Sequence, residues 1–125
     1  MISAKNAFSG FSVNDIDAAK EFYGKTLGVE VETSPAGMML KVGPGILVYP
    51  KGDAHVPATY TMLNFRVDDI ERAVSELKGK GIKFEHYEGM TDEKGIARGI
   101  ARNEGPDIAW FKDPAGNIIS VLQDA

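Results

Sequence analysis

The chain has 125 residues, 43 % of them hydrophobic and 26 % charged, with a formal net charge of −4 and no cysteine. That mix suits one folded domain with a real core and excludes extended disorder. The acidic excess removes any general attraction to nucleic acid or anionic membranes, and the missing thiols exclude disulfides, thiol nucleophiles and cysteine-based zinc sites. No apolar run approaches the ~20 residues that span a bilayer. The start, MISAKNAFSG, lacks the apolar core of a signal peptide. A cytoplasmic protein is the expectation.

In chain order, AFSGFSV alternates and predicts a short strand with Phe11 and Val13 on one face. NDIDAAKEFYGKTLG predicts a helix whose stripe is Ile16, Ala19, Phe22 and Tyr23, capped by Asn14 or Asp15 and stopped at Gly28. VEVET, GMMLKV and GILVYP then read as three short strands separated by SPAG and GPG turns. A linker follows at 49–59, with two prolines and a glycine, which suits an extended path.

The second half repeats the first. TYTMLNFRV reads as a strand, and DDIERAVSELKGKG as a helix with Ile70, Ala73, Val74 and Leu77 on its stripe. IKFEHYE, DIAWFKD and NIISVLQ read as strands, the last two joined by the strong turn DPAGN. Residues 89–106, with GIARGIAR inside, have no clear period and are expected to be part strand and part mobile loop. Phe11, Val13, Asp15, Ile16 and Ala19 match Phe65, Val67, Asp69, Ile70 and Ala73 at one constant offset. Leu27-Gly28-Val29 answers Lys80-Gly81-Ile82 one residue closer. Two copies are too few for a solenoid, so they mark a duplicated β-α-β-β-β unit.

Paired units of this kind, with VNDIDAAKEFYGKTLG after the first strand, VDDIERAV opening the second helix and WFKDPAGN before the last strand, resemble the vicinal oxygen chelate superfamily. This is the glyoxalase, bleomycin resistance protein and extradiol dioxygenase group. The resemblance implies an α+β fold of two βαβββ modules, 1–52 and 58–125, within one glyoxalase-like domain over 1–125. Each module would curl into a half-barrel, and two half-barrels would enclose a cavity. It also favours a homodimer in which two chains build two shared cavities.

Metal-dependent members of that family place four His or Glu ligands on the first and last strands of their two units, which suits a divalent ion with open positions for substrate oxygens. By resemblance those positions fall here on Phe8, Leu47, Met62 and Ser120, so the expectation is no metal and no cofactor. Strand parity aims Asn64 and Arg66, with Met62, toward the cavity and Phe65 and Val67 toward the helix. Tyr60 and Trp110 would serve as stacking surfaces. His86 stands on a predicted strand. Arg98 and Arg102 lie on one face of either a helix or a strand and suit an anion. Glu104 and Asp107 read as loop acids, and His55 as a surface residue away from any site.

The leading reading is therefore a metal-free protein that sequesters a small organic molecule, as the bleomycin resistance branch does, with Phe8, Leu47, Tyr60, Met62, Asn64, Arg66, His86, Arg98, Trp110 and Ser120 around the ligand. An alternative is a lyase or isomerase using acid–base groups such as His86, Arg66 or Glu104 instead of a metal. A sensory partner domain is a third reading. Neither nucleic acid nor membrane is an expected partner.

Overall fold

The structure is a computed structural model that describes residues 1–125, and the chain divides into two compact units, Met1–Pro57 and Ala58–Ala125. In the first unit the predicted alternation becomes β1 (Ser9–Val13), with Val13 fully buried. Asp15, not Asn14, caps the helix that follows, its Oδ1 accepting from the amides of Asp17 and Ala18 at 3.0 and 3.2 Å. The helix is not uniform. It is α-helical over α1 (Ile16–Lys20) and then widens into a π-helical stretch, Glu21–Thr26. There the Leu27 amide reaches back to the Phe22 carbonyl at 2.9 Å. The widening accompanies the insertion of Tyr23, fully buried, between Phe11 at 5.8 Å and Phe22 at 5.2 Å between ring centroids.

Gly28 ends this segment at φ +72, and Gly81 ends the helix of the second unit at φ +92. Both occupy the left-handed region that glycine enters without steric cost. After Gly28 come β2 (Val31–Ser34), β3 (Gly37–Leu40) and β4 (Ile46–Pro50). The sheet runs β1-β4-β3-β2, with β1 parallel to β4 and the other pairs antiparallel. Val13, Met38, Leu40 and Val48 are wholly buried, as are Tyr23 and all but a trace of Ala19.

The second unit repeats the scheme with β5 (Thr61–Arg66), α2 (Ile70–Gly79), β6 (Ile96–Arg98), β7 (Asp107–Lys112) and β8 (Ile118–Gln123). Its sheet runs β5-β8-β7-β6, again with the first and last strands parallel. Asp69 caps α2 by accepting from the Arg72 amide at 3.1 Å, and Gln123 Oε1 accepts from the Ile70 amide at 2.9 Å. Ile70 and Val74 are buried on its inner face. The fold is thus α+β, two βαβββ modules each built on a mixed sheet. No helix is long and apolar enough to cross a membrane.

Three local expectations are corrected. Residues 82–88 do not form a strand. Only Phe84 bridges to Phe111, supported by the Glu85 amide on the Trp110 carbonyl at 2.8 Å. The outer edge of β7 is then completed by β6, which begins twelve residues after Phe84 in the stretch read as part loop. Two short segments share one edge, so neither has the length that a periodicity argument needs. The 49–59 linker is not wholly extended: Tyr49 and Pro50 belong to β4, and Gly52–Ala54 is a 3-10 turn. Finally, β5 carries a register shift between Thr61 and Leu63. Thr61 faces Ile118 and Leu63 faces Ile119, which leaves Met62 as the extra residue.

Candidate functional site

The bulge decides which side chains share a sheet face. Beyond it, Asn64 lies opposite Ser120, and Ser120 lies opposite Trp110, so these three form one row across β5, β8 and β7. Residues directly opposite project to the same side of a sheet. Thr61, opposite Ile118, also joins that side, and its Oγ1 accepts a hydrogen bond from Trp110 Nε1 at 2.9 Å. Without the bulge, Thr61 would have pointed to the helix side and Met62 to this one.

Ser120 is fully buried and its hydroxyl donates to Asn64 Oδ1. Beside this pair Trp110 forms the floor of a cleft of about 250 Å³, lined by Thr59, Tyr60, Thr61, Tyr87, Met90, Trp110 and Ile118. Tyr87 meets Trp110 edge-on, ring centroids 5.5 Å apart at 78°. Three of the large lining side chains remain open to solvent: Tyr60 at 69 %, Met90 at 49 % and Tyr87 at 37 %. No carboxylate, imidazole, ammonium or guanidinium lines the cleft. Large apolar side chains standing exposed around one concavity are the feature that marks a binding surface.

The residues named from the sequence are distributed as follows. Tyr60 and Trp110 line the cleft, and Asn64 and Ser120 stand in the row beside it. Met62, half-buried, occupies the bulge. Arg66 lies at the end of β5, largely exposed, and pairs with Asp124 at 3.0 Å. His86 is exposed, and its ring approaches Gly95 rather than the cleft. Arg98 and Arg102 do not act as a pair. Arg98 in β6 is taken up by Glu71, by Asp92 at 3.0 Å and by Asp107 at 3.8 Å, whereas Arg102 lies exposed in a turn. Asp107 is the first residue of β7 rather than a loop acid, and its Oδ1 accepts from the Ile100 amide at 3.1 Å. In the first unit, Phe8 precedes β1 and is 59 % exposed, while Leu47 in β4 is half-buried between Gly10 and Met39. His55 is not idle there: its Nδ1 lies 2.7 Å from Ser12 Oγ.

Thr59, Thr61, Tyr87, Met90 and Ile118 escaped the sequence reading. Ile118 was available from its parity with Ser120. Thr61 was hidden by the bulge, and Tyr87 and Met90 by the broken strand that carries them.

The electrostatics lie outside the cleft. The Lys94 ammonium, 2.7 Å away, and the Arg98 guanidinium hold the Glu71 carboxyl below its ordinary range. Burial opposes ionisation of Asp92, but the Ile96 amide, Arg98 and the Lys94 amide outweigh it and lower that carboxyl too. In the first unit Lys41, 2.7 Å from Glu32, does the same to that carboxyl.

No group of three or more His, Asp or Glu side chains is placed to hold a metal ion. At the four positions that the sequence resemblance assigns to metal ligands stand two hydrocarbon side chains, Phe8 and Leu47, a thioether, Met62, and a hydroxyl already bonded to Asn64, Ser120. This donor set does not fit a hard or borderline divalent cation.

Two βαβββ modules with parallel first and last strands and a long helix-to-strand repeat define a glyoxalase-type protein. The chain belongs to the Glyoxalase/Bleomycin resistance protein/Dioxygenase superfamily, whose family model matches residues 8–121. Among solved structures it is similar to a Bacillus anthracis protein placed in the glyoxalase family, at 21 % identity and a TM-score of 0.71 over 100 % of this chain and 98 % of that one. It is similar as well to TnmS3, an antibiotic binding protein from Streptomyces sp. CB03234, at 22 % identity and TM-score 0.68 over 99 % and 98 % of the two chains. A lactoylglutathione lyase from Agrobacterium tumefaciens follows at 21 % and 0.65, over 98 % and 95 %. At these identities the likeness is one of fold. No curated protein matches the sequence.

Proposed function

We propose that this protein binds a small, flat, uncharged organic molecule in the aromatic cleft of its second module, without a metal ion. The observation that carries the reading is the cleft itself. Tyr60, Tyr87 and Met90 stand partly exposed around Trp110, whose indole N–H is fixed by Thr61. Leaving this much apolar surface in water is unfavourable by roughly 25 cal/mol per Å², which a flat ligand recovers on binding. A cavity of about 150 Å³ already takes a benzene ring, so about 250 Å³ has room for a fused ring pair. The likeness to an antibiotic binding protein agrees with sequestration. Acid–base conversion has less support, because Tyr60 and Tyr87 are the only titratable side chains around the cleft.

Trp110 is the only tryptophan, so its emission reports on the cleft directly. We expect bicyclic and tricyclic aromatic compounds to quench it, and to raise the unfolding free energy by about 2.7 kcal/mol at a hundred times their dissociation constant. Prior dialysis against EDTA should leave the affinity unchanged. A binder whose affinity disappears with EDTA and returns with a divalent ion would refute the metal-free reading. A broad aromatic panel that neither quenches Trp110 nor raises the unfolding temperature would refute the cleft as the site.

A further inference from the structure

One wall of the cleft is a short turn rather than a strand, and a turn needs fastening to serve as a wall. Residues 87–91 close on themselves: the Tyr87 amide donates to Thr91 Oγ1 at 2.9 Å, and the Met90 and Thr91 amides donate to the Tyr87 carbonyl at 3.0 Å. At one end this turn hangs from β7 through Phe84 and Glu85. At the other end it runs directly into Asp92. That residue's Oδ1 accepts from the amides of Lys94 and Ile96, both at 2.9 Å, and its own amide donates to the Ile96 carbonyl at 2.9 Å. Its Oδ2 accepts from Arg98 Nε at 3.0 Å.

Arg98 ties this hub to the rest of the module. Its guanidinium reaches Glu71 on α2 and lies 3.8 Å from Asp107 on β7. Lys94 reinforces the same seam, donating to Glu71 at 2.7 Å, while Lys78 on α2 donates to the Lys94 carbonyl at 3.2 Å. A planar guanidinium is the one side chain that spans three carboxylates in fixed geometry, which a lysine cannot reproduce. The Arg98 charge is thus committed within the protein, and none of these groups lines the cleft.

We propose that Arg98 is a positioning residue for the cleft: by gripping Asp92 and Glu71 it fixes the turn that carries Tyr87 and Met90 against Trp110. The inference rests on the cleft being the ligand site, and it gives an uncharged pocket an ionic determinant of affinity. A wall held in its bound geometry before the ligand arrives saves the ordering cost at binding. Loosening it therefore weakens binding without removing any ligand contact.

Two variants separate this from a general loss of stability. Arg98→Ala removes the whole grip. Asp92→Asn leaves Oδ1 to cap the Lys94 and Ile96 amides but opposes the Arg98 donor with an amide nitrogen, so it cuts the one link. Each is compared with wild type and with Arg98→Lys at a temperature where all are folded. Near-UV circular dichroism and acrylamide quenching read the Tyr87–Trp110 pair without ligand, and 1-aminoanthracene, a flat neutral dye, reads affinity. The expected result is loss of the Trp110 dichroism band and freer quenching in Arg98→Ala and Asp92→Asn. Dye affinity should be weakened about tenfold in both, equivalent to about 1.4 kcal/mol, and partly restored in Arg98→Lys. Trp110 signals unchanged in both cutting variants would overturn the proposal. If those signals change but wild type does not bind the dye or any aromatic compound, the positioning role stands and the ligand reading fails. If Arg98→Ala does not fold, Asp92→Asn decides alone.

Discussion

Replacing Thr61 by valine tests whether the cleft's floor is held as described. Valine keeps the shape and strand preference of threonine and deletes only the hydroxyl oxygen that accepts from Trp110 Nε1 at 2.9 Å. A neutral hydrogen bond contributes about 0.5–1.5 kcal/mol net, and a buried donor left unpaired costs about 1–3 kcal/mol. Trp110 is half-buried, so water can reach part of the deserted N–H and the lower end applies. We expect a loss of about 1 kcal/mol, which for a chain of this size lowers the unfolding temperature by about 4 °C. Calorimetry measures that fall, and Trp110 emission should move as the indole rotates. Thr61→Ser restores the oxygen and should restore the emission. An unchanged melting temperature together with unchanged emission in Thr61→Val would refute the account of what orients the tryptophan.

Three further outcomes are expected. Asp113→Ala removes an acceptor, 5 % exposed, that serves the amides of Ala115 and Asn117 at 2.9 Å and Asn117 Nδ2 at 3.1 Å. It should cost about 3 kcal/mol and about 10 °C in calorimetry, and a fall under a third of that would show that the turn's donors find other partners. The carboxyls of Glu71 and Asp92 are both lowered from their ordinary values of 4.5 and 3.8. The stability they contribute is complete above those values and is lost as pH falls through the lower folded ones. Near-UV dichroism of Trp110 should therefore hold to about pH 4 and fade only below it, and fading centred near pH 6 would contradict the assignment. The protein should be a homodimer, burying part of an exposed apolar set in the first module that includes Phe8, Tyr49 and Val56. Light scattering at micromolar concentration giving a mass fixed at 13.5 kDa would exclude this.

The repeat was legible because its punctuation is chemical. Asp15 and Asp69 cap, Gly28 and Gly81 stop, and the DPAGN turn is written in residues that few other conformations tolerate. The wall of the cleft was not legible, because its two edge segments at Phe84 and Ile96–Arg98 are each too short to show a period. Nor was the sign of the face at Thr61. A single extra residue at Met62 reverses parity, and nothing in TYTMLNFRV announces it. Arg98 was read as a ligand residue because it stands four residues from Arg102, and an arginine pair on one face suits an anion. Of the three acids that claim it, Glu71 comes from a helix far back in the sequence, and Asp92 and Asp107 reach it only once the chain between them has turned.

The two modules also show how one scaffold specialises. The row Asn64–Ser120–Trp110 in the second has its counterpart in the first as Gly10–Leu47–Met39, the same strands in the same register. In the second module the row is polar at its centre and aromatic at its end. In the first it is apolar throughout, and Gly10 allows the backbone to close up: an added Cβ there would sit 3.2 Å from the Leu47 carbonyl oxygen. On the proposed reading the anchored indole would supply stacking for a ligand, with the hydrogen-bonded Asn64–Ser120 pair beside it, whereas Gly–Leu–Met offers only surface. Duplication thus supplies two equivalent frames, and on the proposed reading the side chains on one row would decide which frame binds the ligand. By this logic Gly10→Asn together with Leu47→Ser would give the first module a polar row without a stacking partner. Such a variant should bind 1-aminoanthracene no more tightly than wild type, while Trp110→Ala alone should abolish binding. Dye titration of both separates the contributions, and tighter binding by the double variant would show that the polar row, not the indole, governs recognition.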